Sequence, residues 1–572
     1  NVAIGYNALT TATTAERNTA VGQSALKLTT TGAYNVAVGQ GTMNNNTTAG
    51  NNTAVGYQAL TSNTTAVNNT AIGFEALRNN TTGTFNTALG TEALELNTTG
   101  SNITAIGNYS LANGSTGGSN GYTTAVGTGS GRYATGANNS TLIGYEAGYR
   151  ITGGDDYTFV GYKAGGAFGS NNITGQSHVG IGNNALGNVT TATHNVAVGK
   201  TSMYGLTTGS SNTAVGNYSL GNGTVTGDSN VAVGYTALYS NTTGYHNVAV
   251  GRNALGTATT AYHNTAVGYG AMENTTTAVY VTAVGDKALQ ANTTGHRSVA
   301  VGTNALILNT TGQKNTAVGV SALESNVSGD HNTAVGIDAL GSNTGSQNTA
   351  MGDRASDAVT SAGNTVSYGF RSGDTITTGS NNVTIGAQAG SYSTGITTGT
   401  RNNFVGNHTI SASNSANDQN VFGNNVTGIA NSFTFGTGGS DTTCTNGGTS
   451  WSAPSDQRMK EDIVTATAGL SFINDLRPVT FKWKKEKDIP ETLKGYVKDS
   501  DKRYMTDTTQ HGFIAQEVKA TIDAHSEIKD GFDMWKQDVG DGRQRVGDAA
   551  LIPVLVKAIQ ELSAKVTALE GK

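Results

Sequence analysis

The chain has 572 residues, of which 79 are glycine, only 12% are charged and four are proline, and its formal net charge is −5. So little charge over this length leaves no basic footprint for nucleic acid or an anionic membrane surface. The single cysteine, Cys444, excludes an intrachain disulfide framework and a cysteine-rich zinc site, and no apolar run nears the ~18 residues of a membrane span.

The composition is that of two different polymers in series. Residues 1–454 hold 14 Lys+Arg and 18 Asp+Glu, whereas the far shorter stretch 455–572 holds 19 and 20. All four prolines (Pro454, Pro478, Pro490, Pro553) stand at or after that boundary. The chain opens inside a motif, "NVAIG", without an initiator Met, so an attachment region upstream is expected.

The first part is one motif repeated. Marker glycines fall at 5, 22, 39, 56, 73, 90 and 107 and continue, mostly 17 residues apart, to Gly423, which makes 25 units. Each unit approximates N-T-A-V-G-x-x-A-L followed by a polar turn such as "NTTG". The residue before the marker is apolar throughout, Leu or Met stands four after it in most units, and five units place Gly there instead, as in "IGYEAG" and "VGYKAG". Such short alternating runs bounded by Gly, Asn and Thr predict strands joined by tight turns. One unit is too poor in apolar residues to fold alone. Stacked coils ~4.8 Å apart would bury a continuous column of Val/Ile and Leu, with Asn and Thr ladders beside it, in a rod on the order of 120 Å long. The fold class is therefore mostly β: a parallel β-solenoid or β-roll over 1–436.

These "NxAVGxxA" units resemble the head repeats of trimeric autotransporter adhesins and related phage tail-fibre shafts. The resemblance implies a β-roll or solenoid with three chains side by side. The 17-residue period is longer than that of the adhesin heads, and no anchor barrel follows the repeats.

Residues 437–454, "TGGSDTTCTNGGTSWSAP", read as a linker or a tapering end of the rod. Four landmarks then follow in order: "SDQRMKEDI" (455–463), "LRPVTFKWK" (476–484), "HGFIAQEV" (511–518) and a terminal apolar helix over 549–570. Together they resemble the self-cleaving intramolecular chaperone domain at the C-terminus of phage tail spikes of the endosialidase type, which spans 455–572 here. The resemblance implies a small α+β chaperone domain with a Ser-Lys dyad. Ser455 is the implied nucleophile, Lys460 the implied general base, and Pro454–Ser455 the bond cut in a single-turnover autoproteolysis. A serine hydroxyl needs a base, and lysine serves only when burial depresses its pKa. Spacing alone favours a plainer reading, with Ser455 capping a helix that begins at Asp456 and Lys460 a solvated charge; the surrounding motifs favour the dyad.

In the terminal helix, Ile552, Leu555, Ile559, Leu562, Val566 and Leu569 follow a 3-4-3-4-3 spacing, a heptad seam, and Pro553 sits in the first turn, where proline is tolerated. β-branched residues at one seam position and Leu at the other favour a parallel dimer by themselves. The resemblance implies a homotrimer, with these six residues as its trimerisation helix; a helix packed on its own domain is the plainer alternative.

Other motifs fall short of a site. "GKTS" at 199–202 lacks the Gly that a phosphate-binding loop needs five residues earlier, where His194 stands. His194, His246, His263 and His331 share one phase of the repeat without a carboxylate in that phase of an adjacent coil, so no metal and no cofactor is expected. The repeat period is broken at 112–123, 166–178 and 391–401, where extra residues must bulge as loops and a receptor would dock. The sequence thus reads as a structural phage tail fibre with expected partners in a host cell-surface receptor, such as a glycan, and in the virion tail through an upstream region. Its expected location is the extracellular virion fibre, with the chaperone acting in the host cytoplasm during assembly. Nucleic acid and membrane insertion are not expected. The alternatives are a non-viral trimeric surface adhesin or filament using the same modules without cleavage, and an enzymatic spike whose hydrolase lies upstream.

Overall fold

The computed structural model describes residues 1–114, 121–166, 172–221, 223–449, 451–453, 455–529, 532–547 and 550–571. It divides into two compact units, Asn1–Pro454 and Ser455–Lys572.

The first unit is a parallel β-solenoid with one short strand per coil, from β1 (Val2–Ile4) and β2 (Thr19–Val21) to β25 (Asn420–Asn424). Successive strands pair in parallel and in register, as in Val2↔Thr19, Ala3↔Ala20 and Ile4↔Val21, so equivalent residues stack into columns. Period-2 alternation sets the faces. In a Thr-Ala-Val strand the central Ala points inward: Ala20, Ala54 and Ala266 are fully buried. The Ala and Leu of the following "A-L" step, such as Ala25 and Leu26, complete the core.

The expected buried column of Val/Ile is corrected by this geometry. Leu lies inside, but the residue before each marker Gly faces out; Ile4 and Leu89, for instance, are 59% and 43% exposed. A 17-residue coil is too narrow for a branched side chain at every strand centre, so Ala takes that place. Aromatic residues just after the marker extend the outward apolar stripe. Tyr57 stacks on Phe74 at 5.3 Å and Tyr145 on Tyr162 at 5.3 Å, each on its counterpart in the neighbouring coil.

The marker glycines are dictated by both backbone and space. Gly22 has φ +130°, and a Cβ there would lie 2.5 Å from the Gly39 carbonyl oxygen of the next coil. Each coil also bends through left-handed residues that are not glycine, among them the core Leu26 (φ 51°) and Leu60 (φ 56°). Such a conformation costs on the order of 1–3 kcal/mol for a non-glycine residue and persists only where stacking over-determines it.

Polar ladders hold the coils in register. The Oδ1 of buried Asn35 accepts from the backbone N–H of Asn52 at 3.0 Å and from its Nδ2 at 3.3 Å, while the Asn35 Nδ2 donates to the Ala49 carbonyl at 2.9 Å. A threonine column runs alongside, with Thr30 Oγ1 donating to the Thr47 carbonyl and Thr47 Oγ1 to that of Thr64. Both ladders match the sequence expectation.

The stretch expected as a linker or a tapering end of the rod, 437–454, contains a strand. β26 (Ser432–Thr437) extends the parallel stack, and β27 (Ser440–Thr445) folds back on it antiparallel through a turn at Gly438, ending the column with a hairpin. Two residues suffice for that turn, so its strand is hidden in a segment that reads as Gly/Thr-rich coil.

The second unit is α+β. Its core joins Phe472 of α1 (Leu470–Asp475), Val518 and Ile522 of α2 (Ala515–Ala524), Met534, and Leu551 and Val554 of α3 (Leu551–Glu570). Two small antiparallel pairs complete it: β28 (Val479–Phe481) with β29 (Gln510–Gly512), and β30 (Trp535–Gln537) with β31 (Gln544–Val546). Among the described residues, no helix is long and apolar enough to cross a membrane.

Candidate functional site

The second unit begins with the segment that carries the expected dyad. Asp456 caps a short 3₁₀ turn, Gln457–Met459, by accepting from the Arg458 backbone N–H at 2.9 Å, and Arg458 Nε returns to its carboxylate at 3.0 Å. That tight turn carries the chain round so that Lys460 Nζ donates to Ser455 Oγ at 2.6 Å. The cap role considered for Ser455 is thus held by Asp456. Both Ser455 and Lys460 are exposed in the single chain. Here the amine donates to the hydroxyl oxygen; passage of a proton the other way requires the amine to be neutral. Pro454, on the other side of the expected cleavage point, lies outside the described residues.

The six residues of the heptad seam all lie on one exposed face of α3, with Ile552 at 61%, Ile559 at 65% and Leu569 at 72% exposure. A neighbouring face packs on its own unit through Leu551, Val554 and Ala558. Glu561 reaches past them to accept from the backbone N–H of Leu470 at 3.0 Å, at the start of α1. The helix therefore has two apolar faces, one used and one bare.

A further polar cluster was not singled out from sequence. His525, at the C-terminal end of α2, is nearly buried; its Nε2 lies 2.9 Å from Asp475 Oδ2 and its Nδ1 2.9 Å from Glu527 Oε1. Hydrogen bonds to Glu527 and Asp475 raise the imidazole pKa above its ordinary value. Asp475 lies 50 positions before His525, so no local motif marks the cluster.

The remaining sequence candidates are ordinary coil residues or loops. "GKTS" belongs to a regular coil whose Gly199 has the marker φ of +133°. His246 and His263 have ring centroids 4.9 Å apart with planes tilted by 48°, flanked by Tyr245, Tyr262 and Tyr280. Among the described residues, no group of three His, Cys, Asp or Glu is placed to hold a metal ion. Of the three period breaks, 115–120 and 167–171 lie outside the described residues. In the third, 391–401, the Ile396 N–H closes the bulge on the Gly390 carbonyl at 3.0 Å and Ser391 Oγ donates to the Arg371 carbonyl at 2.7 Å.

Comparison with curated proteins finds no match. Residues 455–526 match the family model described as chaperone of endosialidase, a segment that starts at Ser455 and runs through α1 and α2. With the β-solenoid that precedes it, this C-terminal domain fits a tail-spike-like protein that carries its own chaperone.

Proposed function

We propose that this chain is the shaft of a phage tail fibre or spike, assembled as a homotrimer by its C-terminal chaperone, which then releases itself by cutting the Pro454–Ser455 bond. The observation that carries the reading is the pair of uncovered apolar faces, one along each unit: the Val/Ile and aromatic stripe of the solenoid and the seam of α3. Apolar surface on this scale is covered in a working assembly. Three copies rather than two is what the chaperone-of-endosialidase match implies for fibre proteins.

Assembly of the seam brings three repeat tracts together and sets their register, after which the coils stack. Lys460 is exposed in the single chain, and burial on assembly supplies the desolvation that lets a lysine act as a base. Lys460 then takes the proton of Ser455 Oγ, which adds to the Pro454 carbonyl carbon. The C–N bond breaks as the departing Ser455 nitrogen takes a proton from Lys460, leaving an ester between Pro454 and Ser455 Oγ. Water hydrolyses that ester to a Pro454 carboxylate and a free Ser455 amine. Loss of the chaperone leaves the shaft kinetically trapped, because refolding would need the removed domain.

Light scattering on the intact Ser455→Ala chain tests the assembly. The expected mass is about 175 kDa, three chains of 58.3 kDa, and a single-chain mass would overturn the reading.

A further inference from the structure

Charge is scarce on the solenoid, and among the described residues some of its cations are paired with carboxylates, as Arg78 is with Glu75 at 2.9 Å and Arg401 with Asp418 at 2.7 Å. Two adjacent coils carry arginines outside such pairs. Arg132 and Arg150 have no carboxylate partner among the described residues, and the Nε of each is buried without a hydrogen-bond acceptor. The nearby carboxylate of Glu146 is engaged by Lys163 at 3.3 Å.

Tyrosines hold the two guanidiniums in place. The Arg132 Cζ lies 4.3 Å from the centroid of the Tyr109 ring and 5.5 Å from that of Tyr133, and the Arg150 Cζ lies 5.1 Å from Tyr133. Tyr149 packs edge-on against Tyr133 at 5.1 Å. All five side chains are half-buried, so the cluster is fixed yet reachable from solvent. Stacking on a ring covers a guanidinium's face and leaves its N–H edge for an oxyanion.

The position along the shaft adds to this. The coil before the cluster spans 20 residues (Gly107 to Gly127) and the coil after it 21 (Gly161 to Gly182), against the usual 17. Hydrogen bonding keeps regular register up to Gly114 in the first and Gly166 in the second, so both insertions follow the corner that carries Arg132–Tyr133 and Tyr149–Arg150 in the coils between. Neither insertion contains an acidic residue that could neutralise the arginines.

We propose that Arg132 and Arg150, walled by Tyr109, Tyr133 and Tyr149, bind an acidic saccharide, the guanidiniums taking its carboxylate or sulfate and the tyrosines the C–H face of its ring. Two fixed forks on a weakly charged rod select an oxyanion, and flanking aromatic rings select one carried on an apolar ring face rather than a free ion. The inference rests on the fibre reading and names the ligand class its shaft would recognise.

The test uses the full Ser455→Ala chain and calorimetric titration with oligogalacturonate, a sulfated oligosaccharide and a neutral malto-oligosaccharide. Binding of either anionic series, weakened at least tenfold by Arg132→Gln with Arg150→Gln and unchanged by Arg401→Gln, supports the site. A response to only one series identifies the oxyanion as uronate or sulfate. No anionic binding by a chain that scatters light as a trimer overturns the site alone, as does binding that the double variant leaves intact or that the neutral sugar matches. A single-chain mass overturns the fibre reading, whatever the titration gives, and the titration of that single chain still decides the site by the same criteria.

Discussion

Phe159 occupies the space that Leu fills in an ordinary coil, and Gly165 is the residue that makes room for it. A Cβ on Gly165 would clash with the Phe159 ring, and both sit at core positions of one coil, Phe159 in β10 (Thr158–Val160). The common coil has Ala at the strand centre and Leu four after the marker; this coil has Phe and Gly. The preceding coil makes the same exchange with Leu142 and Gly148, and further along Phe404 fills space left by Gly390 of the coil before its own. Volume is conserved while side chains change.

The exchange predicts a rescue. Phe159→Ala leaves a cavity and should cost about 3–5 kcal/mol. Adding Gly165→Leu restores the ordinary pair at a position whose φ of 56° lies close to that of core leucines such as Leu60. The double variant is expected to recover most of the thermal midpoint lost by Phe159→Ala, whereas Gly165→Leu alone should be the least stable of the three. Equal midpoints for Phe159→Ala and the double variant would show the two positions to be uncoupled.

Position in the asparagine ladder sets a second expectation. Asn247 Nδ2 donates to the Ala261 carbonyl at 2.8 Å, and its Oδ1 accepts from the Asn264 N–H at 3.1 Å. Asn247→Ala leaves both partners buried and unsatisfied, at about 1–3 kcal/mol. Asn183→Ala, a change at an exposed position outside the ladder, serves as control. Denaturant titration should separate the two variants.

These relationships show what was legible in the chain and what was not. The marker period located every coil because each marker needs a positive φ and a space too small for Cβ, two constraints that only glycine meets. Which strand face turns inward was misread: Val is the more apolar residue, but the width of a 17-residue coil admits only Ala at most strand centres. The left-handed leucines escaped notice because no sequence rule places Leu there. Ser455 and Lys460 were found through surrounding motifs, since two exposed residues five apart have no burial pattern of their own. His525, Asp475 and Glu527 come together only through the packing of α2 on α1.

Cleavage chemistry gives the third prediction. With Lys460 Nζ bonded to Ser455 Oγ, both Ser455→Ala and Lys460→Met should abolish processing. The wild-type chain should release a fragment of about 12 kDa, the 118-residue share of 58.3 kDa, with Ser455 at its new N-terminus by mass spectrometry. The same fragment from Ser455→Ala would assign the cut to another protease.

A pH dependence follows from His525. Its folded pKa is raised above the unfolded value of about 6.5 by Glu527 and Asp475, so the ion pairs stabilise the unit fully below that value. The stabilisation is lost as pH rises through the folded pKa. Amide exchange in α1 and α2, corrected for intrinsic rates, should therefore be slower at pH 6 than at pH 8.5. His525→Gln should remove the difference; a profile that stays unchanged in this variant would assign it to other groups.

The two faces of α3 separate folding from assembly. Val554 is part of the unit's own core, so Val554→Asp should unfold it. Ile559 and Leu562 contribute nothing to that core and are 65% and 50% exposed, so Ile559→Asp with Leu562→Asp should leave the unit folded, with an unchanged far-ultraviolet spectrum, while placing carboxylates in a closed seam. Light scattering should then report single chains of 58.3 kDa. If burial on assembly is what activates Lys460, this seam variant should also remain uncleaved, although its Ser455 and Lys460 are untouched. A monomer that still cuts itself would separate the two events and place the activating environment within one chain. A trimer that persists despite the two aspartates would assign assembly to the apolar stripe of the solenoid instead.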